Sequence, residues 1–190
     1  MQCKFLLFTL LLASTLSFSS LARSETDTVI SVSTTCSVDH GLDFSHIKGG
    51  PLSIQNFIDK RDCLTDESCH KNSLNNSHSE ETFMSNDLTI LAREILANSF
   101  RDGQAALTES DQGKLSLSGT LIEGSITDEE VIFKIELSLN KNAKSIWKNS
   151  YLGKSSVSNE IATGEAVNAA LNKAFEELMY DDYFVMELID

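Results

Sequence analysis

The cleanest pattern in this chain is a strict alternation of apolar and polar positions between residues 115 and 139. Leu115, Leu117 and Leu121 alternate with Ser116, Ser118 and Thr120. Val131, Phe133, Ile135, Leu137 and Leu139 alternate with Lys134, Glu136 and Ser138. A period of two sends successive side chains to opposite faces, so these segments predict strands with one dry and one wet face. Thr127-Asp128-Glu129-Glu130 and Asn140-Lys141-Asn142 supply the turns. Residues 145–153, with Ile146, Trp147, Tyr151 and Leu152, predict a third strand, and 104–108 a short fourth.

Two segments change period. Leu88, Leu91, Ala92, Ile95, Leu96 and Phe100 recur at helical spacing, with Ser85, Asn86 or Asp87 as N-cap and Gly103 at a left-handed C-terminal cap. Val167, Ala170, Leu171, Ala174, Phe175 and Leu178 make the stripe of a second helix over 163–180. The tail, 183–189, is apolar enough to dock as a short helix or strand, capped by Asp181 or Asp182. Upstream, 28–32 predicts a short strand, and Gly49, Gly50 and Pro51 a turn. Residues 52–58 then predict a strand with Ile54 and Ile58 on one side and Phe57 on the other. Residues 63–86 hold few large apolar side chains and read as a long, mobile surface loop. The expected fold is α+β: an antiparallel sheet with two amphipathic helices packed on its dry face, a two-layer sandwich.

The start of the chain changes where that fold is expected. Lys4, the apolar run 5–12 and the small residues Ser20 and Ala22 have the layout of a secretory signal peptide over 1–22. The rest divides into a polar N-terminal segment, 23–50, and one α+β domain, 51–190. No second stretch reaches the roughly 20 apolar residues of a membrane span. The net charge of −13 disfavours nucleic acid and anionic lipid as partners. Export makes Cys36, Cys63 and Cys69 disulfide candidates. Cys63 and Cys69 can close a small loop. Cys36 is then a free thiol, a link to another chain, or the true partner of either.

The order and residues from about 50 to 190 resemble the YajG-like family of small bacterial envelope proteins. The likeness rests on Asp59-Lys60-Arg61 closing an early strand, the helix from 88 to 100 and two long alternating strands. It also rests on Trp147, Tyr151 and Gly153 in a Trp-x-x-x-Tyr-x-Gly segment and on Ala170-Leu171-Asn172 in the second helix. Members of that family are typically outer-membrane lipoproteins with no established activity. The resemblance therefore implies a Gram-negative envelope location, in the periplasm or at the outer-membrane periphery, and no known reaction. This chain has no lipid-accepting Cys after its leader, and its Cys/His-rich loop is not a family feature.

Several residue groups carry candidate chemistry. Cys63, Cys69, His70 and His78 offer thiolate and imidazole ligands for zinc or copper, unless the thiols are oxidised. His40 and His46 lie near Asp39 and Asp43, a pairing that can orient an imidazole, though a solvated loop is the plainer reading. Asp59, Arg61 and Asp62 read as a structural clamp. Asp128, Glu129 and Glu130 crowd one turn without EF-hand spacing, and Asp181-Asp182 fit a capping role. Trp147 and Tyr151 share a strand face; they pack with the sheet or stay on its wet side as a partner-binding surface.

No Gly-x-Ser-x-Gly, His-Glu-x-x-His or phosphate loop occurs. The sequence therefore predicts a non-catalytic envelope protein without cofactor, binding another envelope component. The alternative is a periplasmic binder of a small ligand or metal using residues 63–78. An enzyme with dispersed residues would need a pocket lined by His40, His46 or Asp59.

Overall fold

The computed structural model describes residues 29–32, 37–64, 70–76, 82–109, 114–157 and 163–189. The expected leader, Cys36, Cys69 and His78 lie outside them. Three long strands form the body of the sheet: β6 (Leu115–Ile126), β7 (Glu130–Lys141) and β8 (Lys144–Ser156). They run as an antiparallel meander, β6 to β7 to β8. The alternation is fully used in β7, where Val131, Phe133, Ile135, Leu137 and Leu139 are all completely buried.

The sheet is not antiparallel throughout, as the sequence had suggested. Among the described residues it is mixed and eight-stranded. The far side of β6 receives three short strands in parallel, one after another along its length. They are β1 (Leu52–Ile54), β2 (Ile58–Asp59) and β3 (Ser73–Asn76). β4 (Thr82–Phe83) pairs with β3, and β5 (Leu107–Thr108) lies parallel to β1. The physical reason is the helix α1 (Leu88–Asp102) between β1 and β6. A parallel pair needs a long crossover, and a helix supplies it.

Two expectations about the short strands change with this topology. Residues 52–58 form not one strand but parts of two, β1 and β2, separated by the irregular residues 55–57. The Phe57 ring lies over Gly119, where any Cβ would collide with it at about 2.5 Å. Ile54 and Ile58 do not share a side: Ile54 is buried and Ile58 is 57% exposed. The stretch 63–86 is also not simply a loop. It contributes β3 and β4, and buries Ser73, Leu74 and Met84. Upstream, Ile30 makes a single parallel bridge to Met84.

Helix α1 starts at Asp87, whose carboxylate accepts from the Thr89 amide at 2.8 Å. Gly103 ends it, but with φ −79, and Gln104 takes the left-handed conformation at φ 64. Glycine is required at 103 for room: a Cβ there would meet Phe44 at 2.6 Å and His40 at 2.9 Å. Helix α2 (Thr163–Met179) lies against β7 and β8, and α1 against β5 and β6; the helices also touch each other. Helix α3 (Asp182–Leu188) closes the chain, capped by Asp181. No helix among the described residues is long and apolar enough to cross a membrane.

Gly153 sets the α2–β8 distance. A Cβ there would collide with the Ala170 carbonyl oxygen and lie 2.8 Å from the Ala174 amide nitrogen. Neither is a flexible side-chain end, so Gly153→Ala forces the helix off the sheet. Urea unfolding should show a loss of about 3 kcal/mol for Gly153→Ala. The exposed neighbour Ser150→Ala should stay within about 0.5 kcal/mol of the parent. Equal stability of the two variants would contradict the packing described.

Candidate interaction surface

Trp147 sits opposite Leu139 on β7, and Tyr151 opposite Ile135. Their partners belong to the buried row, so both rings point to the dry side of the sheet. The rings stack with centroids 6.1 Å apart, and Trp147 also packs on Phe184 of α3 at 4.9 Å. Phe184 continues the contact to Phe100 of α1 at 6.3 Å. Tyr151 is buried and Trp147 half-buried.

One carboxylate organises this end of the molecule. Asp181 Oδ2 accepts from the Tyr151 hydroxyl at 2.6 Å and from Asn149 Nδ2 at 3.1 Å. Its Oδ1 accepts from the Phe184 amide at 3.1 Å, the N-cap of α3. Burial pushes the Tyr151 hydroxyl well above its ordinary range, with the Asp181 charge adding to it. Desolvation opposes the charge on Asp181, but hydrogen bonds from Tyr151, Phe184 and Asn149 together hold its carboxyl below the ordinary value.

The outer side of α3 carries large apolar side chains beside the exposed carboxylates of Asp182 and Glu187. Phe184 and Leu188 are buried, while Tyr183 is 77% and Met186 67% exposed on the same short helix. Tyr180, at the end of α2, is 64% exposed. The N-terminal segment fixes α3 from below: the Lys48 amide donates to Leu188 O at 2.9 Å, and Lys48 Nζ to Met186 O at 2.6 Å. These exposed residues were missed in the sequence because 183–189 showed apolar content without a face. The Tyr151–Asp181 bond spans 30 positions and leaves no local signal.

The other sequence-predicted residues take up different places. Arg61 and Asp59 form a pair at 2.8 Å, each almost fully buried. Arg61 also donates to the backbone oxygens of Ser73 and His70, so the pair joins the end of β2 to β3. Asp62 and Cys63 lie on a single 3-10 turn, Asp62–Leu64. Cys63 is a disulfide cysteine; the pairing with Cys69 falls outside the described residues, as does His78. Among the described residues, no group of three or more His, Cys, Asp or Glu is placed to hold a metal ion.

His40 is tied into the backbone. Its Nδ1 accepts from the Leu42 amide at 2.9 Å, and its Nε2 donates to Ser99 O at 2.9 Å. His46 is exposed, as are Asp128 and Glu129. A cavity of about 300 Å³ lies at Arg61, Glu123 and Lys134, and an open groove of about 670 Å³ runs between β8 and α2. His40, His46 and Asp59 line neither.

The fold has counterparts of known structure. Protein XCC0632 from Xanthomonas campestris, described with the family model DUF330, is similar with a TM-score of 0.57 and 10% identity. The match covers 80% of this chain and 90% of that one. The PelC dodecamer from Paraburkholderia phytofirmans has a TM-score of 0.44 at 15% identity, covering 75% of this chain and 93% of its own. The hypothetical protein CT253 from Chlamydia trachomatis has 0.45 at 8%, covering 73% and 95%. No family model and no curated protein matches this chain.

The two shifted groups give opposite pH limbs. Asp181 has a lowered pKa, so its contribution is present above the ordinary carboxylate value and lost as pH falls through the lowered one. Tyr151 has a raised pKa, so its contribution is present below the ordinary phenol value and lost as pH rises through the raised one. Tyr151→Phe should cost about 1 kcal/mol at neutral pH, Asp181 being partly open to solvent. Asp181→Asn should flatten the acid limb of stability measured by urea titration from pH 2 to 6, a range set by the ordinary carboxylate value of about 3.9. An unchanged acid limb would contradict this role.

Proposed function

We propose that this chain is an exported, non-catalytic protein of the Gram-negative envelope that serves as an interaction or accessory module for another envelope protein. The observation that carries this reading is the exposure of the large side chains of Tyr180, Tyr183 and Met186 next to the packed Trp147–Tyr151–Phe184 cluster. Large aromatic and methionine side chains on a fixed support resemble the core of a protein interface. Trp147 and Tyr151 act beneath that surface as its support.

Export rests on the signal-like residues 1–22, and the YajG-like assignment on the ordered residue set that carries the resemblance. A two-layer arrangement fits the same reading. Gly124 of β6 faces Leu88 of α1, and Gly153 of β8 faces Ala170 of α2. Gly124 and Gly153 both pair with Phe133 across the sheet, which supports a reading with both helices on one side of it. The metal-binding alternative loses support because a disulfide-bonded Cys63 supplies no thiolate.

Crosslinking in a Gram-negative host, on the full-length protein with its own leader, tests this reading. One dominant envelope protein should be retrieved, and Tyr183→Ser/Met186→Ser should abolish its capture while leaving the far-ultraviolet spectrum unchanged. No enrichment over a charge-matched control, or capture indifferent to the double variant, would contradict the proposal.

A further inference from the structure

Strand β8 is an edge. It pairs with β7 from end to end and with no other strand among the described residues. In an antiparallel strand, the N–H and C=O of alternate residues point to opposite sides. The Ser150 amide donates to its own neighbour, Asn149 Oδ1, at 2.9 Å, so residue 150 faces away from β7. By the same alternation, Lys148, Leu152 and Lys154 also face outward. Asn149 covers Ser150 alone. From Leu152 onward, the outward backbone groups have no partner among the described residues.

A groove of about 670 Å³ runs beside this free stretch, between Leu152 and Lys154 on β8 and Lys173, Glu176, Glu177 and Tyr180 on α2. Leu152 is 43% and Tyr180 64% exposed. An added strand would send alternate side chains into this groove and onto the open sheet face.

Charge selects the occupant. Residues 144–156 carry Lys144, Lys148 and Lys154 and no acidic residue, in a chain of net charge −13. A second copy would bring lysine strand against lysine strand, and like charges directly opposite repel. On the groove side, Glu176 and Glu177 exclude further carboxylates. On the open face, Lys148 and Lys154 lean on Glu136 and Glu130 in exposed pairs at 2.8 and 3.1 Å, which an incoming carboxylate can share.

We infer that the free edge of β8 from Leu152 to Ser156 takes up an extended segment of a partner protein by strand addition, with acidic residues on the open face alternating with apolar ones in the groove. This rests on the interaction-module reading and names how the partner is recognised. Lysines on an edge otherwise serve to prevent sheet-to-sheet pairing, and the experiment separates the two roles.

The probe is an acetylated, amidated octapeptide of alternating valine and glutamate, titrated into the nitrogen-labelled mature protein. The Leu152 and Lys154 amides should shift, and their hydrogen exchange should slow by about tenfold or more. The valine–lysine counterpart should leave both unchanged. Leu152→Pro removes an outward N–H without touching the β7 ladder and should weaken binding by about tenfold. Lys154→Gln, which keeps the strand intact, should weaken it several-fold.

Silence of these amides at millimolar peptide, or an equal response to the lysine peptide, would overturn the inference. So would protection of Leu152 and Lys154 in the free protein that grows with its concentration, which would make the occupant a second copy. A partner crosslinked in cells and still retained by Leu152→Pro would remove the edge and leave the module standing. The crosslink judges the module and the peptide judges the edge, so the two failures are distinct.

Discussion

The buried pair of Arg61 and Asp59 ties the end of β2 to β3, the two short strands that flank the break in β6. Arg61 is 2% and Asp59 4% exposed in their side chains. Such burial is costly unless every donor finds an acceptor. Here Nε reaches both Asp59 oxygens at 3.0 and 3.2 Å, Nη2 reaches Asp59 at 2.8 Å and His70 O at 3.0 Å, and Nη1 reaches Ser73 O at 2.5 Å. The planar guanidinium suits this task, since its fork meets a carboxylate and backbone oxygens at fixed angles. It joins two chain segments that otherwise share little: β3 meets β6 only at Asn75 and Asn76.

The clamp is needed because of how β6 is used. One side of β6 is zipped to β7 over nearly its whole length. The other side is divided among β1, β2 and β3, which pair near residues 115–117, 120–121 and 125–126. A bulge between Leu121 and Glu123 falls between the second and third of these. At that break a continuous ladder cannot carry β2 into β3, and Arg61 bridges the gap with Gly124 opening space beneath it. On the far side β8 pairs with β7 alone among the described residues, with one register shift between Leu139 and Asn140. β8 ends the sheet as a free edge beside the α3 surface, so one flank of the molecule is clamped and the other is open. The interaction readings belong to the open flank.

Much of the fold was legible because it is written in periods. The alternation of 131–139 and the helical spacing of 88–100 each specify a face, and burial follows them residue by residue. The Asp59–Arg61 clamp was legible as an ion pair at a strand end, although its reach to β3 was not. What escaped were features decided by distant atoms. Parallel pairing of Leu52 with Leu115 depends on the intervening helix, not on either strand. Gly103 looked like a left-handed cap and is instead a gap for Phe44 and His40. The stretch 63–86 is polar because β3 and β4 are short and bury little, which composition cannot distinguish from a loop. At the surface, Tyr183 and Met186 became visible only once Phe184 and Leu188 had defined the inner side of α3.

The measurement that tests this account most directly is a double-mutant cycle on Asp59→Asn and Arg61→Met, read by urea unfolding of the mature protein. If the pair ties β2 to β3, each single variant should lose about 3 kcal/mol or more, because each leaves a buried group unmatched. The double variant should recover much of that loss, giving a coupling of about 2 kcal/mol or more between the two sites. Losses that simply add, with no coupling, would show that β2 and β3 are held together by something else.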